Sequence, residues 1–130
     1  KEAADGHVKT GAVPVMQDPD GVPVKRNFVH VDDLCAAILA ALDNPRAAKQ
    51  TFNVCMGEPV DYGGLAAYLG KTRKLPSVPI RTPYRSTWLD NSKAKFLLGW
   101  RPIYDLKRMT NAAFDFERPA SDPRVVWYPG

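Results

Sequence analysis

The stretch RNFVHVDDL, from Arg26 to Leu34, reads as a strand that carries a cation at its entry and runs directly into a helix. Phe28, Val29 and Val31 suit an extended backbone. Asp32 and Asp33 supply carboxylates that accept the free amides of a helix start, so Asp33 reads as a cap rather than a catalytic acid. The planar fork of an arginine presents several donors to a phosphate at once, which makes Arg26 the residue here suited to an anion. Taken alone, the stretch is an edge strand with an exposed arginine. A second stretch, DNSKAKFLLGWRP from Asp90 to Pro102, reads as an acid cap, a short amphipathic helix, a stop at Gly99 and a Trp-X-Pro exit. By itself that is scaffolding.

Outward from these two stretches the chain alternates short strands with helices. Val13 to Met16 suits a strand, Gln17 to Gly21 is dense in turn formers, and Val22 to Val31 resumes an extended pattern, a hairpin-like arrangement. Leu34, Ile38 and Leu42, with Ala37 and Ala41 beside them, predict a helix with one apolar face, stopped by Asn44-Pro45. Gln50 to Met56 predicts a strand. Asp61 predicts the cap of a second helix with Tyr62, Leu65, Ala66 and Leu69 inward, weakened by Gly63 and Gly64, each worth about 1 kcal/mol against alanine. Val78 to Thr82 is a further short strand. The third helix runs to Leu98, and a fourth starts near Asp105 with Leu106, Met109, Ala113 and Phe116 on one side. The pattern is that of a small α+β lobe, with a flexible N-terminal segment at 1–11, the lobe at 12–118 and an extended tail at 119–130.

Hydrophobic residues make up 45% and charged residues 25%, a composition that opposes disorder throughout. The apolar run LCAAILAAL is far shorter than the roughly 20 residues of a membrane span. The chain starts at Lys1 rather than Met, and nothing near it resembles targeting sequence, so a fragment is expected. The net charge of +4 is spread along the chain. Its densest spot, Lys71, Arg73 and Lys74, suits a solvated helix end rather than a nucleic-acid footprint, because no aromatics interleave with it. Cys35 and Cys55 read as buried, reduced thiols, in keeping with a cytoplasmic location. A metal site is not expected, with His7 and His30 the only imidazoles.

In this order, RNFVHVDDL and DNSKAKFLLGWRP together resemble the C-terminal part of extended short-chain dehydrogenases/reductases, the NAD(P)-dependent epimerase/dehydratase family. There an R-[DN]-[FY]-x-[HY]-V-x-D element precedes a D-x-SKA…LGW-x-P element, with a strand and helix like FNVCMGEPVDYGGLAAYL between. The resemblance runs from about Ala12 to Phe116, and to about the last third of a family member. It implies a small mixed lobe of short strands and about four helices, the substrate-binding portion, with the Rossmann domain absent. It also implies that Arg26 contacts the diphosphate of a sugar nucleotide and that Arg81 or Arg85 is a second anion contact. Asn27 stands where relatives often carry Asp. His30 is implied to be a packed histidine rather than a general base, and Trp100 and Pro102 to seat the last helix.

What this family uses for chemistry is missing from the sequence. The nine glycines never form GxxGxxG or GxGxxG, the turn that brings helix amides to a pyrophosphate. No tyrosine is followed four positions later by lysine. No residue therefore takes a catalytic role. The resemblance implies an inactive fragment whose full-length protein uses NAD or NADP, with none bound to the fragment. It implies a small-molecule substrate, a nucleotide sugar or related sugar, with no nucleic-acid or membrane partner. The full-length protein is expected to be a homodimer and the fragment a monomer. The competing reading is a non-enzymatic binding module that recognises RNA through a basic surface, supported by a pI near 9.2.

Overall fold

The computed structural model describes residues 11–117 and Ser121. The expected flexible segment at 1–11 and the extended tail at 119–130 fall outside these residues except for Gly11 and Ser121. Four short strands and four helices make up the rest: β1 Val13–Gln17, β2 Lys25–Arg26, α1 Val31–Ala41, β3 Val60–Asp61, α2 Tyr62–Arg73, β4 Ser77–Arg81, α3 Ser92–Leu98 and α4 Leu106–Asp115. A 3-10 turn at Pro45–Ala47 follows α1. The expected α+β lobe is what the chain forms.

The strands make two separate two-stranded sheets. β1 runs parallel to β4, with Val13 opposite Ser77 and Gln17 opposite Arg81. The hairpin expected after β1 survives as a single antiparallel bridge between Gln17 and Pro23. Asp18 builds the turn, its Oδ1 accepting the amides of Asp20 and Val22, both at 2.9 Å. β2 pairs antiparallel with β3, Lys25 opposite Asp61. The expected strand at Gln50–Met56 has no ladder partner among the described residues. One backbone bond, from the Met56 amide to the Phe28 carbonyl at 2.7 Å, and side chains hold it instead: Asn91 donates to the carbonyls of Cys55 and Met56 at 2.8 and 3.2 Å, and Asn53 donates to the Asp90 carbonyl at 3.0 Å.

Gly63 explains a glycine at the start of α2. A Cβ there would stand 2.9 Å from the Pro23 ring, so the helix start can lie against that turn only without a side chain. Gly99 ends α3 at φ +66°, the left-handed geometry the sequence called for. Lys71 and Arg73 occupy the last turn of α2, where cations oppose the negative pole. In α4 the buried position is Thr110. Ala113 and Phe116 are exposed, so the inward side is shifted from the expected one.

Two expectations about α1 are overturned. Its N-cap is His30, whose Nδ1 accepts the Asp32 amide at 3.2 Å, and not an aspartate. Asp33 is 2% exposed and reaches away from its own helix, accepting the amides of Ile103 and Tyr104 at 3.0 Å each. The Leu34–Ile38–Leu42 face is open at 37%, 52% and 61% exposure, while Asp33 and Ala37 are buried. Ala37 is small enough for close approach to Ala94 and Trp100, and that contact decides which side turns inward. The Trp100 indole donates to the Asp33 carbonyl at 2.9 Å.

Candidate functional site

Arg26 sits at the end of β2, and the segment 84–89 runs along the side of β2 away from β3. The Lys25 amide donates to Ser86 Oγ at 3.0 Å, and the Thr87 amide donates to the Lys25 carbonyl at 3.2 Å. Asn27 ties the same segment twice: its Nδ2 donates to the Thr87 carbonyl at 3.1 Å, and its Oδ1 accepts the Leu89 amide at 3.0 Å. An aspartate could make only the second of these bonds, which gives Asn27 a structural reason at this position.

This clamp places Thr87 and Tyr84 beside the Arg26 guanidinium. Arg26 donates weakly to Thr87 Oγ1 at 3.4 Å, and its Cζ lies 5.5 Å from the Tyr84 ring centroid. Arg26 is half-buried and forms no ion pair among the described residues. A cation with unused donors, held in place by an aromatic face, is what an anion contact requires. Tyr84 and Trp88 remain open at 55% and 70% exposure and offer ring faces nearby in the chain. The sequence singled out Arg26 but not Asn27's double tie, Ser86, Thr87 or Tyr84. The only signal for Tyr84, Ser86 and Thr87 was their place near the interval suspected of holding a second arginine.

The two other predicted arginines have different partners. Arg81 donates to the Pro19 carbonyl and lies against Gly21, where a Cβ would come within 3.1 Å of its guanidinium. Arg85 pairs with Asp20 at 2.8 Å, and that hydrogen bond raises its pKa further. Both brace the 18–21 turn. Neither bonds to Arg26, Tyr84 or Thr87 among the described residues.

His30 is engaged as packing, stacked on Tyr104 with centroids 3.6 Å apart and planes 8° apart. The Tyr104 hydroxyl donates to Asp32 Oδ2 at 2.9 Å, and this bond pushes the phenol pKa up. Of the two thiols, Cys55 is buried, and its pKa is raised by that burial; Cys35 is exposed, against expectation, because it lies on the open side of α1.

The start of α2 is not open to a pyrophosphate. The paired glycines Gly63 and Gly64 do open a helix, but their amides already donate to Asp61 Oδ1 at 2.8 and 3.3 Å. A carboxylate thus stands where a pyrophosphate would need to bind. Among the described residues, no three His, Cys, Asp or Glu side chains gather as metal ligands. No helix of the described residues is long and apolar enough to cross a membrane.

The description "NAD dependent epimerase/dehydratase family" matches residues 7–55, and the fold superposes on a short-chain dehydrogenase/reductase superfamily protein from Agrobacterium tumefaciens with bound NAD. Over residues 7–55 the chain is similar to the NAD dependent epimerase/dehydratase family. Against the Agrobacterium protein the TM-score is 0.73 at 25% identity, covering 86% of this chain and 37% of that one. The UDP-glucuronic acid 4-epimerase of Bacillus cereus, in complex with UDP-glucuronic acid and NAD, shares the fold at a TM-score of 0.67 and 21% identity, covering 84% of this chain and 36% of the epimerase. A curated relative, the chloroplast stem-loop binding protein of 41 kDa b from Arabidopsis thaliana, is 32% identical over 72% of this chain. The chain spans 29% of that relative's length.

Proposed function

We propose that this chain is the substrate-binding portion of an NAD(P)-dependent sugar-nucleotide epimerase or dehydratase, or of a related sugar dehydrogenase/reductase. The observation that carries the reading is the Arg26 guanidinium, fixed beside Tyr84 and Thr87 with no carboxylate paired to it among the described residues. Diphosphate oxygens accept from its fork, and the clamp from Asn27 to Thr87 and Leu89 keeps the wall beside it in place. Holding one end of a substrate orients the other, which can supply a large part of a rate enhancement. Cofactor and acid–base groups come from a portion of the protein outside these residues, and this chain alone has no activity. The open Leu34–Ile38–Leu42 face supports that division, since a larger body would cover it. The full-length protein is a cytoplasmic homodimer with reduced thiols, and the isolated portion is monomeric.

Calorimetric titration with UDP-glucose, UDP-glucuronic acid and dTDP-glucose tests this. Weak, millimolar binding of at least one ligand is expected, abolished in Arg26→Ala. Equal binding by the variant refutes the reading.

A second reading, a nucleic-acid-binding module, is favoured by a specific observation: the curated relative is a stem-loop binding protein. The net charge of +4 is compatible with it.

A further inference from the structure

We infer that the face formed by the Pro45–Ala47 turn, Phe52 and α3 is a docking surface for single-stranded nucleic acid; this rests on the second reading above and gives it a location. Two cations lie over two aromatic rings on adjoining elements. Arg46 Cζ stands 5.9 Å from the Phe96 centroid, and Lys93 Nζ stands 5.4 Å from the Phe52 centroid. Phe96 is 75% exposed, so its ring has a large open surface despite the arginine. Beside these pairs lies a recess of about 480 Å³ lined by Ala41, Asn44, Ala48, Gln50 and Phe52, with Asp43 contributing one carboxylate to its wall.

This face brings together two uncommitted cations, where the Arg26–Tyr84 pair has one and the two remaining cation–aromatic pairs have none. Arg73 lies over Phe114 but is paired with Asp115 at 3.7 Å. Arg108 lies over Tyr104 but donates to the Ile103 carbonyl at 3.4 Å. Neither Arg46 nor Lys93 makes a side-chain hydrogen bond or ion pair among the described residues. Their donors face solvent, ready for phosphate oxygens, while Phe96 offers a base a ring to stack on. Cations interleaved with aromatics are the pattern that tracks a backbone and stacks its bases without reading sequence. A duplex keeps its base faces stacked inside, so a loop or single strand is the form that fits.

The test is fluorescence anisotropy with labelled U12 and dT12 across a salt series, with unlabelled polyphosphate as competitor. Arg46, Lys93 and Phe96 are surface side chains, so their alanine variants keep the fold, which circular dichroism verifies. The double variant Arg46→Ala/Lys93→Ala is expected to lower the salt slope by about 1.4, for two phosphates on a single strand. Phe96→Ala is expected to weaken oligonucleotide binding by about tenfold without changing competition by polyphosphate. Equal affinity for U12 and dT12 supports recognition through phosphates and base faces, and a preference for U12 supports an added 2′-hydroxyl contact. Oligonucleotide binding that survives all three substitutions overturns this location while leaving the second reading intact. Failure to bind either oligonucleotide overturns both.

Discussion

Replacing Asp33 tests whether a buried carboxylate, rather than a helix cap, joins the first diagnostic stretch to the residues that follow the second. Its two oxygens accept one backbone amide each, from Ile103 and Tyr104 at 3.0 Å, and the residue is 2% exposed. Hydrogen bonds to a charged group contribute about 1.5–3 kcal/mol each. Both donating amides are only part-buried, so water recovers some of the loss, and Asp33→Ala is expected to cost about 2–4 kcal/mol. Asp33→Asn keeps one acceptor and turns an NH₂ toward the other amide, so it should cost nearly as much. That is a large share of the 5–15 kcal/mol typical of a whole domain. Urea denaturation followed by circular dichroism measures it as a lowered midpoint at constant slope. A capping aspartate behaves differently, because asparagine caps as well as aspartate. If Asp33→Asn matched the parent within about 0.5 kcal/mol, the carboxylate would not be the tie described here.

Asn27→Asp retains the bond to the Leu89 amide but loses the donor to the Thr87 carbonyl and sets a carboxylate against it. It should cost about 1 kcal/mol in the same denaturation assay and weaken sugar-nucleotide binding beside Arg26. Alkylation with iodoacetamide at pH 8, read by mass spectrometry, should modify exposed Cys35 well before Cys55, whose thiol is buried and raised in pKa. A raised thiol pKa stabilises the fold below the unfolded thiol's range, and that contribution is lost as pH climbs through the folded value. Stability of the parent should therefore fall more steeply at alkaline pH than that of Cys55→Ala.

Much of the fold is legible in local signals. Proline, glycine and aspartate at element ends place α2 and α3 well, because capping and turn chemistry are short-range. Pairing and facing are not local. Nothing near Val13 says that β1 pairs with β4, more than sixty residues away, and the extended pattern at Gln50–Met56 cannot reveal that it has no ladder partner among the described residues. Helical periodicity marked Leu34, Ile38 and Leu42 correctly as one face but could not say whether anything in this chain covers it. At the site, a motif pointed to Arg26, whereas Arg81 and Arg85 were judged by spacing, and spacing does not show that Asp20 and the Pro19 carbonyl lie within reach.

The most direct measurement is a nitrogen-15 NMR titration of the chain with UDP and, in parallel, with uridine. If Arg26 holds a diphosphate, UDP shifts the Arg26 side-chain signal together with the Thr87 and Tyr84 amides, and uridine leaves the arginine signal in place. Shifts confined to residues away from β2 and the 84–89 segment, or an arginine signal that ignores the diphosphate, would contradict it.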